Sequence, residues 1–451
     1  MSEQVDLAIV NGQVTISGLG TFRGAIGVKD ERVAWISESG ESPNAREVVD
    51  AESLHVLPGI VDGHSHYGLG NDDDFKTESR SAVMAGITST VSYLMQQGDD
   101  YTEIFNDYVQ TGERDSYIDF GFHFGVSSVE QSEKLTLAKE QFGVVSHKYF
   151  MSFKRGGEGS YIGVNDGHDG VLYKIMQQAA QDPDVTIVVH SENIEVVWTL
   201  AEELKARGVD GLAAWDESRP DFTEADDIAT VGLFGKVTGA RVFIPHVSSA
   251  MGMDVVRSMG ADRPLIETCP HFLTHTKDEA FGSLGKVNPP LRSASDVDAV
   301  WEAVLDGTVD VIGSDHNSRP RSKKSGDIWS SSAGFPGQGT MLPAVLTEGR
   351  ERGLSLERTV ELMAAKPAQI FGRYPQKGTL RPGSDADIVL VDMETPRQVD
   401  TSTWGSFSDY SLDEGIDLIG WPVATYVRGS LAWSLDDGWA PEPTGKHVPG
   451  A

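Results

Sequence analysis

A single cysteine in 451 residues, Cys269, excludes an intrachain disulfide and fits a reducing compartment. It stands between the strand-like Pro264-Leu-Ile-Glu-Thr268 and Pro270, which reads as a buried structural thiol rather than a nucleophile. Basic residues are scarce as well: 37 lysines and arginines against 68 aspartates and glutamates leave a formal charge of -31. A surface of that sign repels phosphate backbones and anionic bilayers, so neither nucleic acid nor a membrane is expected as a partner. No apolar run approaches the roughly 20 residues that span a bilayer. The amino terminus, Met1-Ser-Glu-Gln-Val-Asp6, lacks the basic and apolar regions of a secretory signal, and the expected compartment is the cytoplasm.

What the chain does have is a set of histidines at the ends of apolar runs. Pro58-Gly-Ile-Val-Asp-Gly-His64-Ser-His66 reads as a buried strand closing on an alternating histidine pair. Residues i and i+2 of a strand project to one side, so both rings can face one ion, and imidazole suits zinc, nickel or iron. His190 follows the β-branched run Val185-Thr-Ile-Val-Val189, His246 follows Val242-Phe-Ile-Pro245, and Asp315 follows Val309-Asp-Val-Ile-Gly-Ser314. Continuous Val/Ile runs separated by helical stretches such as 192–207 and 295–305 are the pattern of buried parallel strands in a (β/α)8 barrel, whose chemistry gathers at the strand carboxyl ends.

Lys148 belongs to the same pattern in Gly143-Val-Val-Ser-His-Lys148-Tyr-Phe-Met151. An ammonium has no lone pair for a metal and is repelled by one. Carboxylation of the amine by carbon dioxide would make an anionic carbamate able to bridge two ions. A surface lysine is the alternative, and spacing leaves both readings open.

Residues 1–56 show short strands, Leu7-Ala-Ile-Val10 and Arg32-Val-Ala-Trp-Ile36, with Asn11-Gly12 and Lys29-Asp30 read as turns. The barrel is expected over 57–374, ending in a helix over 355–371. From 375 to 451, strands such as Ile388-Val-Leu-Val391 and Ala424-Thr-Tyr-Val427 are expected to complete the amino-terminal sheet. The fold class is thus α/β: a TIM-like barrel with a small β-sandwich domain built from both termini.

The order HxH, Lys, His, His, Asp resembles the amidohydrolase superfamily, in particular its cyclic amidohydrolase branch of hydantoinases, dihydropyrimidinases and allantoinases. Val189-His-Ser-Glu-Asn193, Pro245-His-Val-Ser-Ser249, Glu267-Thr-Cys-Pro-His-Phe-Leu273, Asn288-Pro-Pro-Leu-Arg292 and Gly313-Ser-Asp-His316 reinforce the likeness. It extends to the return segment Pro375-Gln-Lys-Gly-Thr-Leu-Arg-Pro-Gly-Ser-Asp-Ala-Asp-Ile-Val-Leu390. The resemblance implies two divalent ions, zinc first, with manganese, nickel or cobalt as alternatives. His64, His66 and Asp315 would hold one ion and His190 and His246 the other, with Lys148 as N6-carboxylysine bridging both. It further implies a hydroxide shared by the ions, Asp315 as catalytic base and then acid, a small cyclic amide substrate and a homotetramer.

Substrate is less legible. Five residues after the bridging lysine, where hydantoinases commonly carry an oxyanion-holding tyrosine, stands Phe153; Tyr149 and Ser152 are substitute donors to consider. The arginine that dihydroorotases place two residues beyond HxH is Gly68, and the Glu-Pro-Gly usual in allantoinases is missing from the segment 67–74. Asn288 and the backbone of Gly334 and Gly337, in Ala333-Gly-Phe-Pro-Gly337, are expected in the substrate pocket, although Asn288 also reads as a turn residue before Pro289. Arg319-Pro-Arg-Ser-Lys-Lys324 reads either as an anion-attracting loop over the site or as a solvated one. The expected activity is ring-opening hydrolysis of a hydantoin- or dihydropyrimidine-type amide. Allantoin or another cyclic imide or lactam is the alternative substrate, and a non-catalytic dihydropyrimidinase-like scaffold or an open-chain amidase the rival class.

Overall fold

The computed structural model describes residues 4–38, 43–52, 54–69, 71–95, 100–152 and 167–451. Five strands open the chain: β1 (Val5–Ile16), β2 (Gly20–Lys29), β3 (Arg32–Ser37), β4 (Ala45–Asp50) and β5 (His55–Pro58). Apolar positions in β1 change phase midway, from Leu7 and Ile9 to Val14 and Ile16. A one-residue shift would turn the second half outward, and a bulge between Ile9 and Gly12, with Asn11 left-handed at φ 63°, absorbs it. Asn11-Gly12 is therefore a kink inside one strand, not the turn its composition suggested. The turn after β2 does form, at Asp30 and Glu31, both with positive φ.

Eight strands follow: β6 (Ile60–Ser65), β7 (Ile87–Leu94), β8 (Asp119–Gly125), β9 (Ser146–Phe150), β10 (Thr186–His190), β11 (Arg241–Ile244), β12 (Leu265–Thr268) and β13 (Val311–Ile312). They pair in parallel, each with its neighbour in sequence. The ring closes just past β13, where Ser65 bridges His316; His66 N–H donates to the His316 carbonyl at 3.0 Å and His316 N–H to that of His64 at 3.3 Å. Asp62 ties the same seam, accepting from Ser314 N–H at 3.0 Å and Ser314 Oγ at 2.6 Å. Helices including Asp74–Met84, Thr102–Asp115, Asp169–Ala179, Ile194–Ala206 and Ala294–Asp306 alternate with the strands, the arrangement of a (β/α)8 barrel. Among the described residues no helix is long and apolar enough to cross a membrane.

Inside the ring Val91, Val188, Phe243 and Val311 form a buried layer with Phe371, which stacks edge-on against both Phe243 and His123. This packing fills one end and leaves the strand carboxyl ends for chemistry. Phe371 follows a helical stretch that is not continuous: Leu356–Val360 and Lys366–Ile370 flank a π-helical turn, Glu361–Ala365.

The remaining strands are β14 (Ile388–Asp392), the short ribbon β15 (Arg397–Gln398) and β16 (Asp417–Leu418), then β17 (Trp421–Val427), β18 (Ser430–Ser434) and β19 (Gly438–Trp439). β14 pairs antiparallel with β5, joining strands from both ends of the chain into one nine-stranded, mostly antiparallel sheet. That sheet buries a core of its own, with Leu7, Ile26, Val56, Ile388 and Tyr426 among its members.

Candidate metal centre

His64 is the penultimate residue of β6, His66 lies just past its end, and Asp315 three residues beyond β13. Ring closure between these two strands brings the three together. Nε2 of His64 and Nε2 of His66 stand 3.1 and 3.2 Å from the same oxygen, Oδ1 of Asp315. On the far side of the ring His190 ends β10 and His246 follows β11 by two residues; His190 Nδ1 and His246 Nε2 are 3.0 Å apart. The rings of His64 and His246 are 5.4 Å apart, so the two groups form one cluster. Asp315 and His246 are both non-glycine residues with left-handed backbone, φ 49° and 45°. That conformation costs about 1–3 kcal/mol and persists only where the surroundings impose it, as at functional sites.

Lys148 is on the inner face of β9 and 1% exposed, with Nζ 4.8 and 4.9 Å from the ring centres of Tyr93 and Phe150. The surface-lysine alternative is thereby excluded. Burial pushes its amine down to about 8, although Asp315 and Glu267 pull the other way.

Two carboxylates aim the imidazoles. Glu267 Oε1 lies 2.6 Å from His64 Nδ1, and Glu192 Oε2 lies 2.8 Å from His190 Nε2 while Arg219 donates to both Glu192 oxygens at 3.0 Å. Such outer partners set the tautomer and orientation of a metal-binding histidine. Burial opposes the Glu192 charge, but Arg219 and His190 hold the carboxyl down at about 2. Burial likewise disfavours the His64 imidazolium, yet Glu267 and Asp315 outweigh it and raise the group to about 9. Burial, with the nearby charges of His64 and Lys148, lowers His66 to about 4 against the pull of Asp315. The desolvation that penalises the Asp315 carboxylate is overcome chiefly by His64, and Asp315 stays well below the usual carboxylate range.

The donor set fits divalent ions. Two donors sharing one tetrahedral ion at about 2.0–2.1 Å stand about 3.3 Å apart; the 3.0 to 3.2 Å separations here are close to that. Imidazole and carboxylate together suit zinc, manganese, nickel or cobalt. Among the described residues, His64, His66 and Asp315 form a group whose ligand atoms all lie within 4.8 Å of one another.

Around the cluster, Phe153 lies outside the described residues. Tyr149 cannot stand in for the missing donor: it alternates with Lys148 onto the outer face of β9, where its hydroxyl donates to the His168 carbonyl at 3.2 Å. Ser152 is buried after β9. Asn288 precedes a cis peptide bond, and its Oδ1 is buried without a partner among the described residues. Gly334 N–H donates to the Lys286 carbonyl and Gly337 N–H to His316 Nδ1, at 3.0 and 3.2 Å, so both N–H groups serve the loop itself. The basic run is not solvated throughout. Lys324 is 1% exposed and its Nζ donates to the carbonyls of Lys286, Ser332 and Gly334, while Arg321 lies over the Tyr410 ring.

Residues not singled out from the sequence are Glu192, Glu267, Arg219 and Tyr93. Strand parity offered a signal for two of them, since Glu267 and Tyr93 are i+2 from the inward Leu265 and Val91.

A model of the amidohydrolase family matches residues 55–430. The L-hydantoinase of Paenarthrobacter aurescens is 35% identical over 445 residues, covering 94% of this chain and 93% of that protein. The allantoinase of Deinococcus radiodurans is 32% identical, covering 93% and 94%. Among solved structures, the L-hydantoinase (dihydropyrimidinase) from Arthrobacter aurescens superposes with a TM-score of 0.90 at 33% identity, covering 99% of this chain and all of that one.

Proposed function

The chain belongs to the amidohydrolase family, and from that membership we propose that it opens the ring amide of a hydantoin- or dihydropyrimidine-type substrate. The observation that carries this reading is the convergence of His64, His66, His190, His246 and Asp315 on a buried lysine inside the barrel mouth. His64, His66 and Asp315 would hold one ion and His190 and His246 the other, zinc by preference. Lys148 would be the ligand common to both once its Nζ lone pair has bonded to the carbon of carbon dioxide and a proton has left to solvent. An uncharged amine is the form that reacts, and burial favours it. Bound divalent ions supply hydroxide near neutral pH and polarise the carbonyl.

Asp315 performs the proton work. Its Oδ1 faces His64 and His66, which leaves Oδ2 to take the proton from the attacking oxygen and return it to the departing nitrogen. On the substrate side Asn288 Oδ1, buried without a partner among the described residues, and the carbonyl of Gly337 are acceptors suited to the N–H groups of a cyclic ureide.

The protein is expected as a cytoplasmic homotetramer, which light scattering on the purified enzyme checks. Hydantoins, dihydropyrimidines, allantoin and cyclic imides assayed with one zinc-loaded preparation test the substrate. Turnover of a hydantoin or dihydropyrimidine is expected. Turnover of allantoin alone moves the reading to its alternative, which the segment Glu267-Thr-Cys-Pro-His271 and the allantoinase relative support. A protein that acquires no transition metal even with bicarbonate present removes the mechanism.

A further inference from the structure

Tyr93 sits among the candidate ligands without touching any of them through its polar atom. Its ring centre is 5.0 Å from that of His64, 5.1 Å from His66 and 4.5 Å from His123, and Lys148 Nζ is 4.8 Å away. The residue is 2% exposed, and its hydroxyl is buried with no hydrogen-bond partner among the described residues. A buried hydroxyl left unpaired is destabilising, and phenylalanine would make the same ring contacts, including the one to the lysine, without that cost. The oxygen therefore calls for an acceptor that the unmodified side chains among the described residues do not provide.

Access decides which acceptor. A substrate arriving from solvent cannot reach a hydroxyl closed over by protein. A carboxyl group grown on Lys148 can, because it extends from an amine already beside the ring and equally buried. Resting on the carboxylated-lysine reading above, we propose that Tyr93 is a positioning residue whose hydroxyl donates a hydrogen bond to a carbamate oxygen on Lys148 and so orients the bridging ligand. Carboxylation itself is unchanged: the N–C bond forms, the amine proton leaves to solvent, and the phenol keeps its own proton. A hydrogen bond to a charged acceptor stabilises the carbamate over the free amine by a factor of about ten or more.

The test compares the native protein, Tyr93→Phe and Lys148→Ala, each stripped of metal and refilled with zinc over a series of 13C-bicarbonate concentrations. The carbamate carbon is followed by NMR and bound zinc by atomic emission. Tyr93→Phe is expected to need about tenfold more bicarbonate for half-maximal carbamate signal, with zinc content restored at high bicarbonate. A purely structural role would not be rescued in this way. Equal half-saturation in native and variant, with the signal lost in Lys148→Ala, overturns the role of Tyr93 and leaves the carboxylated lysine standing. No signal in the native protein at any bicarbonate concentration overturns both. Tyr93→Met, which also lacks a donor, serves in the same measurement if the phenylalanine variant does not accumulate.

Discussion

Oε2 of Glu192 lies 2.8 Å from Nε2 of His190, on the ring edge opposite the nitrogen that faces His246, and the same carboxylate is clasped by Arg219. The imidazole is thereby presented to the centre through Nδ1. Glu192→Gln should leave the ring in place but remove the charge that fixes its tautomer, weakening metal binding about 10- to 100-fold. Competition with a chromophoric chelator reads this directly; unchanged affinity would show that the pair only serves packing.

Lys148→Ala tests the proposed bridge between the two halves of the cluster. Metal content is expected to fall by one or both ions per chain, with loss of ring-opening activity. Retention of both ions with full activity would refute the bridging assignment.

Asp315→Asn keeps an oxygen toward His64 and His66 but cannot shuttle a proton. We expect kcat to drop about 10²- to 10⁴-fold, with substrate KM changed far less. A KM effect alone would reassign Asp315 to binding.

Lys324→Met should loosen the loop that carries Gly334. The amine donates to carbonyls of Lys286, Ser332 and Gly334, and Lys286 in turn donates to the Ser331 carbonyl at 2.6 Å, so the segments bearing Asn288 and Gly334 are stitched together from below. Removing the donor strands those carbonyls at about 1–3 kcal/mol. Urea titration is expected to show the loss and steady-state kinetics a raised KM; a variant as stable as the native chain with native KM would exclude the role.

His275 gives stability a pH dependence away from the metal centre. Nε2 is 2.8 Å from Asp413 Oδ1 and Nδ1 3.2 Å from Glu279 Oε2. Burial disfavours the imidazolium, but these two carboxylates outweigh it and raise the group to about 9. The folded chain thus binds the proton more tightly than the unfolded one, where histidine titrates near 6.5. This stabilisation is fully present below about pH 6.5 and is lost as pH rises through about 9. The unfolding free energy of the native chain minus that of His275→Gln, read by urea titration, should shrink over that interval from a gap on the order of 3 kcal/mol at most. Parallel curves would show that His275 does not carry the charge.

Much of the fold was readable because buried parallel strands carry unbroken apolar runs, and the histidines stood where those runs stopped. Alternation, taken one residue further, also sends Tyr149 away from Lys148 and brings Glu267 and Tyr93 inward. The bulge at Asn11 was not readable as such, since its composition is that of a turn and only the phase of Leu7, Ile9, Val14 and Ile16 betrays it.

What the sequence determined by itself is local or compositional: which residues end strands, which share a face, and a net charge of -31. Tertiary structure alone decided the pairings. Glu267 reaches His64 across 203 residues and Asp315 meets His66 across 249, because the ring closes between β6 and the end of β13. Periodicity repeats every two or four residues and carries no record of such distant neighbours. The burial of Lys324, the clasp on Glu192 and the burial of the Tyr93 hydroxyl all follow from how the barrel closes, not from any pattern along the chain.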